Sequence, residues 1–203
     1  MRFFVCLIDQ SGGAPSESQR RRYERPARAQ GLKGRWCTVG PVSTLIAEDA
    51  PDSSPDQPVV VQRDGGVCVG FARLDNRAEV ERWTCCESAR LTDLELVLRA
   101  ILRCGTSLIP ELLGDFAFVV RPIAPGPVVA ACDAFAVKKL YYVVRGGVLA
   151  FASRGDTLAE GDGYDRQYLA ELAGYCQPSP GLCVYAGVTA LPAATIALFE
   201  SGK

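Results

Sequence analysis

The fold is decided by two neighbouring stretches, Asp115-Phe-Ala-Phe-Val-Val120 and Ala131-Cys-Asp-Ala-Phe-Ala-Val-Lys-Lys-Leu-Tyr-Tyr142. Both are rich in apolar and aromatic residues, which is typical of buried strands. The sequence around them predicts two pairs of strands. Strand 116–120 would pair with 128–132, and strand 140–144 with 148–151. Pro122–Pro127 and Arg145-Gly-Gly147 would form the turns. Since strands joined by such short turns run antiparallel, we expect mainly antiparallel sheets.

The flanking sequence adds further strands and two helices. Val59–Val69 predicts a hairpin around Asp64-Gly65-Gly66, where glycine can adopt a positive φ without steric strain. Apolar residues at a spacing of three and four predict helices over 91–104 and 165–175, the first with Thr92 as N-cap and Glu95 at capping-box spacing. Strands are also expected over 2–8, within 36–46, over 182–185 and over 195–199. The fold class is therefore α+β.

Two polar regions interrupt this pattern. Gln10–Gly34 is rich in Gly, Ser and Arg and is interpreted as a loop or irregular region, and Glu48–Pro58 as a surface loop. The basic run Gln19–Arg28 is interpreted as solvated, with contact to an acidic partner or nucleic acid as the alternative.

The length and composition of the chain limit the kinds of protein that it can be. The chain has 203 residues, enough for one generous domain, which we expect to span 1–203. A net charge of -1 argues against a general nucleic-acid binder, and no long apolar window predicts a membrane span. The apolar start of the chain is too short for a signal peptide, so the expected compartment is the cytoplasm.

Cysteine and histidine usage restricts the chemistry further. Nine cysteines without a C-x-x-C pair fit neither a disulfide framework nor a zinc site, so we expect no metal and mostly buried cysteines. A redox-active pair Cys85–Cys86 is the alternative for those two residues. Histidine is absent, which excludes a Ser-His-Asp triad, a Cys-His dyad and His-ligated metals.

The opening stretches and Ala72-Arg-Leu-Asp-Asn-Arg77 together carry a family resemblance. They resemble the N-terminal class II glutamine amidotransferase (Ntn-type) domain of the asparagine synthetase family, whose motifs read G-R-L-D-N-R, L-x-G-D-F-A-F and R-D-x-x-G-V-x-P-L-Y-Y. Lasso-peptide cyclases and β-lactam synthetases are the most similar branch. The resemblance is good over about residues 60–155. It implies an Ntn-hydrolase-like four-layer α/β/β/α sandwich.

The same comparison implies that the glutaminase chemistry is lost. The family nucleophile is a cysteine directly after the initiator Met, and Arg2 stands there. An Asn-Gly pair forms the family's oxyanion hole, whereas this chain has Phe71-Ala72. Loss of one such donor costs about 10²–10³ in rate. Cys6 lies inside a predicted strand, and we interpret it as core rather than as an alternative nucleophile.

Two other positions have a functional and a structural interpretation. Asp93 matches the residue that holds the ammonium group of substrate glutamine, so the resemblance implies a vestigial binding residue. The alternative is a first-turn acid favoured by the helix dipole. Ser11-Gly-Gly-Ala-Pro-Ser16 is similar to a pyrophosphate-binding loop, but Pro15 replaces the aspartate and we expect no helix after it.

The sequence therefore predicts a catalytically degenerate glutaminase-like N-terminal domain of an ATP-dependent amide-forming enzyme that closes a macrolactam or lactam ring. Its synthetase domain, which would carry ATP and Mg, is absent from the 203 residues, and no cofactor is expected in this chain. The expected partners are a synthetase domain or subunit and a precursor peptide. A free-standing pseudo-enzyme that docks on a separate synthetase or peptide is the alternative, and an active glutaminase with an unconventional nucleophile is a third hypothesis.

Overall fold

A computed structural model describes residues 2–48, 60–63, 65–85, 91–123, 126–161 and 163–200. The strands are β1 Arg2–Asp9, β2 Lys33–Val39, β3 Val42–Glu48, β4 Val60–Arg63, β5 Gly66–Leu74, β6 Gly114–Pro122, β7 Val128–Cys132, β8 Tyr141–Arg145, β9 Val148–Ala152, β10 Thr189–Ala190 and β11 Ile196–Phe199. The helices are α1 Glu17–Ala29, α2 Arg77–Trp83, α3 Asp93–Cys104 and α4 Arg166–Ala173, with short 3₁₀ turns at Thr106–Glu111 and Gly155–Thr157.

The elements group into two compact units, and each has one antiparallel sheet. The first unit contains β1–β3 and β8–β10 with α1 and α4, and its strand order is β10-β8-β9-β1-β3-β2. The second contains β4–β7 and β11 with α2 and α3, and its strand order is β11-β7-β6-β5-β4. This confirms the α+β class with antiparallel sheets. The expectation of a single domain over 1–203 stays a prediction.

The core of the first unit forms around β1. This strand lies between β3 and β9, and Phe3, Val5 and Leu7 are fully buried on the face that packs with α1. The helix contributes Tyr23 and Ala27, four residues apart and therefore on one side of it. Burial of these side chains is what fixes α1 on the sheet.

The core of the second unit forms between α3 and β5–β6. Thr92 caps α3 and exchanges hydrogen bonds with Glu95, and Gly105 follows its last residue, as the sequence predicted. Apolar side chains of the helix pack on one face of the sheet, and the largest buried ones are Leu94, Leu96, Leu98 and, across from them, Phe118. Val60–Arg63 and Gly66–Leu74 confirm the predicted hairpin; Asp64 lies outside the described residues.

Three regions differ from the prediction. Residues 17–29, predicted as loop, form α1, because Ser16 and Gln19 make a capping box and two buried positions suffice to hold the helix. Residues 33–48 form a full hairpin, β2–β3, instead of one short strand. Residues 182–185 do not form a strand; the only pairing there among the described residues is the isolated bridge between Tyr164 and Tyr185. The predicted surface loop falls mostly on residues outside the described ranges.

Candidate functional site

The positions that match the oxyanion pair lie inside the β5–β6 ladder. Phe71 is opposite Ala117, and Ala72 is opposite Phe116. Ala72 is buried in the core beneath α3, whereas Phe71 is half-buried and has the Lys138 ammonium 5.6 Å from its ring centroid. A phenyl ring has no N–H to donate, so position 71 lacks the side-chain donor that an oxyanion hole of this type requires.

Glycine at position 70 lets β5 approach β6 closely. Its φ is +150°, and a Cβ there would lie 2.2 Å from the Ala117 carbonyl oxygen and 2.6 Å from the Phe118 Cα. No other residue fits at this point, so Gly70 fixes the register that places Phe71 and Ala72.

Asp93 lies in the first turn of α3, with its carboxylate held by two partners. Oδ2 accepts the Leu74 N–H at 2.8 Å, and Oδ1 accepts a hydrogen bond from the Arg77 guanidinium. Arg77 also donates to the Leu91 carbonyl oxygen at 2.6 Å and forms an ion pair with Glu81 at 2.9 Å. The structure thus brings Asp93 together with the end of β5 and the start of α2.

This network gives Asp93 a bracing role. Both oxygens are engaged, and the side chains of Asp93 and Arg77 are only 22% and 30% exposed. An ammonium ligand would have to compete with a guanidinium for the same carboxylate. Arg77 is the partner that sequence reasoning missed, although it lies in the same Ala72–Arg77 motif and its charge could have indicated the pairing.

Asp133 organises the turn that follows β7. Its buried carboxylate accepts backbone N–H groups from Phe116 at 3.2 Å, Phe135 at 3.0 Å, Val137 at 3.0 Å and Lys138 at 3.1 Å. Burial by itself would favour the neutral acid, but the four backbone donors outweigh it and hold the pKa of the Asp133 carboxyl below its usual range. The turn holds the Phe135 side chain 86% exposed.

The Ser11–Ser16 loop lies between β1 and α1, so the expectation that no helix follows it is wrong. Its polar groups are nonetheless occupied internally. Ser11 donates its N–H and hydroxyl to Asp9 at 2.8 and 2.6 Å, and the Ser16 N–H donates to the Gln19 side chain at 2.6 Å. Since these N–H groups are bound within the loop and the first turn of α1, they are not available to a phosphate.

The cysteines divide evenly among the described residues. Cys6, Cys68, Cys132 and Cys183 are buried, and Cys37, Cys85, Cys104 and Cys176 are exposed, so the expectation of mostly buried cysteines is wrong. Cys86 lies outside the described residues. Burial raises the pKa of the Cys6 thiol to about 12, which keeps it protonated and unreactive at neutral pH.

Two further observations concern Arg2 and the described chain as a whole. The Arg2 backbone begins β1 and pairs with Glu48 of β3, in the first unit. No cluster of three or more metal-ligating side chains occurs within the described ranges. None of the described helices is both long enough and apolar enough to cross a bilayer.

Comparison with solved structures identifies the fold. Glutamine phosphoribosylpyrophosphate (PRPP) amidotransferase from B. subtilis, solved with ADP and GMP, is similar with a TM-score of 0.52 and 13% identity over 77% of this chain. A structure described as the allosteric regulatory enzyme of purine biosynthesis is similar with a TM-score of 0.51 and 14% identity, also over 77% of this chain. The match covers 42% of each of those chains. At these identities the similarity shows the fold alone, and it supports the predicted Ntn-hydrolase-like sandwich.

Comparison by sequence identifies the family. No curated protein sequence matches the chain. The family described as "Glutamine amidotransferase domain" matches residues 53–203, which include Phe71, Ala72, Asp93 and Asp133. The matched range covers most of the sequence and the whole set of site positions on the second unit. The chain therefore belongs to the glutamine amidotransferase domain family.

Proposed function

We propose that this chain is a catalytically degenerate glutaminase-like N-terminal domain of an asparagine-synthetase-type enzyme that forms an amide with ATP. Family membership and the Ala72–Arg77 motif support the assignment to this kind of domain. The Arg-Leu-Asp-Asn-Arg form of the motif favours ring-closing relatives, the lasso-peptide cyclases and β-lactam synthetases. Such an enzyme uses an amine already present on its substrate and needs no ammonia from glutamine.

The observation that carries the proposal is the state of the Asp93 carboxylate. It is bound to the Leu74 N–H and to the Arg77 guanidinium, and the nearby β5 presents Phe71 where the family has an amide donor. Arg2 replaces the nucleophile. On this proposal the nucleophile and the oxyanion donor are missing, and the carboxylate that would bind glutamine is used to hold the fold together. This combination is expected of a domain retained for its surface.

A synthetase domain or subunit is the proposed partner. The second unit exposes apolar side chains on the Asp133 turn and on β11, namely Phe135, Val137, Ile196 and Leu198. The Asp133 carbonyl oxygen accepts the Ala194 N–H at 2.9 Å, which ties the turn to the chain entering β11. Exposed apolar side chains of this kind favour an interface over a solvated surface. We propose Leu182–Phe199 as the contact region, with a precursor peptide as a further partner.

The experiment is reconstitution with an asparagine-synthetase-type synthetase domain. We expect the two proteins to co-elute in gel filtration, and Leu198→Ser to weaken their affinity about tenfold, because it removes a large apolar side chain from the interface. Leu172→Ser, on exposed α4, is the matched control. If the complex forms but closes no amide bond with ATP, the free-standing docking protein is favoured. A stable monomer without affinity for any such domain would refute both.

A further inference from the structure

A groove runs along one flank of α1 in the first unit, on the side that faces β2. Its volume is about 510 Å³, a size typical of small-ligand sites. The lining side chains are mostly charged and come from successive turns of the helix, with an indole from the strand: Glu17, Arg20, Arg21, Glu24, Arg28 and Trp36. Three arginines against two glutamates leave the groove with an excess of positive charge.

Both glutamates of the groove are already neutralised. Arg21 binds Glu17 with a 2.5 Å contact, and Arg28 binds Glu24 at the same distance two turns later. Glu24 also accepts the Trp36 indole N–H at 2.6 Å. These pairs use up the negative charge of the lining, so neither carboxylate remains to neutralise Arg20.

Arg20 is the unsatisfied group of the groove. Its Nε is buried and has no hydrogen-bond partner within the described part of the chain. A ligand in the groove cannot reach this buried atom. Arg20 nevertheless lines the groove and has no carboxylate partner within the described part of the chain, so an oxyanion in the groove would balance its charge.

Trp36 defines the rest of the ligand. Its indole is half-buried, and because its N–H is bound to Glu24 the ring offers only an apolar face to the groove. We propose that this groove binds a small ligand with one carboxylate on a planar or apolar body. The carboxylate pairs with Arg20, and the body packs on Trp36. A single negative charge matches Arg20, the one arginine of the groove that pairs with no carboxylate of the described residues.

Calorimetry with benzoate tests this site. Benzoate should bind the intact chain saturably in the millimolar range, and benzamide, which has the same ring without the charge, should not bind. Arg20→Gln should weaken benzoate binding at least about tenfold, the loss expected for one charge-assisted pair. Arg25→Gln is the matched control, because it removes the same charge from the other flank of α1 and should leave the affinity unchanged.

A second variant keeps the test decisive if Arg20→Gln fails to fold. Glu17→Gln releases Arg21 from its partner and should strengthen benzoate binding severalfold. No saturable binding of benzoate, equal binding of benzamide, or affinity unchanged by Glu17→Gln and by any folded Arg20 variant would overturn the proposal. Inorganic phosphate that binds more tightly than benzoate would also overturn it, because the ligand would then be a phosphate without an apolar body.

Discussion

Asp133 shows how one side chain can hold a whole segment in place. Its carboxylate accepts four backbone N–H groups, from β6 and from the turn that carries Phe135. Without it, those donors would be buried or partly buried without partners. This four-fold coordination depends on the fold of residues 133–138 and could not be predicted from the spacing of residues in the sequence.

We expect Asp133→Ala to lower the free energy of unfolding by roughly 2–4 kcal/mol, because it leaves several backbone donors unpaired. Urea denaturation at pH 7 measures this, with Asp75→Asn on the surface as control. The wild-type protein should also lose stability in acid. Because the folded pKa lies below the unfolded value of about 3.9, the carboxylate stabilises the fold above that value, and this contribution is lost as the pH falls through the folded pKa. Asp133→Asn should show a weaker acid dependence; an unchanged one would contradict the role of Asp133.

The ion pair between Asp93 and Arg77 also contributes to stability. If Asp93 braces the start of α3, Asp93→Ala and Arg77→Ala should each destabilise the protein, and the double variant should cost about 1–3 kcal/mol less than the sum of the two. A double-mutant cycle in urea measures this coupling. The pair Asp115 and Arg73, which is more exposed, serves as control. Additive effects at Asp93 and Arg77 would mean that the carboxylate does not depend on the guanidinium.

At the scale of elements, the sequence predicts the elements that bury apolar side chains at a regular spacing. The paired strands 116–120 and 128–132 and the capped helix α3 were predicted to within two residues at each end for this reason. Helix α1 was missed because only Tyr23 and Ala27 are buried, and Pro26 lies inside it. Edge strand β2 was underpredicted because its residues alternate little and remain mostly exposed. Of the site, the sequence located Phe71, Ala72 and Asp93 but not the contacts that commit Asp93 to Arg77.

The cap of α3 gives a direct test at this scale. Thr92→Ala should cost about 1 kcal/mol, because the Glu95 N–H loses the hydroxyl that accepts its hydrogen bond, although the backbone N–H of residue 92 can still donate to the Glu95 side chain. Thr92→Ser keeps the hydroxyl and should be nearly neutral. Thermal unfolding followed by circular dichroism compares the two, and equal loss in both variants would show that the methyl group matters rather than the cap.

The Ser11–Ser16 loop and α1 should not bind ATP. Asp9 and Gln19 already accept hydrogen bonds from the Ser11 and Ser16 N–H groups, which are therefore not free to bind phosphate. Calorimetry with Mg-ATP is expected to give no saturable heat. Micromolar binding that disappears when Gly12 and Gly13 are replaced by bulky residues would contradict this account.

Taken as a whole, the molecule has the fold of a glutamine amidotransferase domain, and the loss of its glutaminase chemistry is our proposal. Family membership and structural similarity fix the kind of domain, and the chain spans 42% of the solved relatives. The Asp93 carboxylate is bound to Arg77, and apolar side chains are exposed on the second unit. Cytoplasmic location, the ring-closing reaction and the synthetase partner stay predictions.

Ammonia release from glutamine is the measurement that decides whether this chain is a glutaminase. The isolated chain should release none above the buffer background, because the resemblance places Arg2 at the position of the nucleophile and Phe71, which has no side-chain N–H, at the position of an oxyanion donor. The double variant Phe71→Asn with Ala72→Gly restores the donor pair and should also remain inactive, since it still lacks a nucleophile. Steady ammonia release by the unmodified chain, lost after alkylation of a cysteine, would contradict the account and establish an active glutaminase with an unconventional nucleophile.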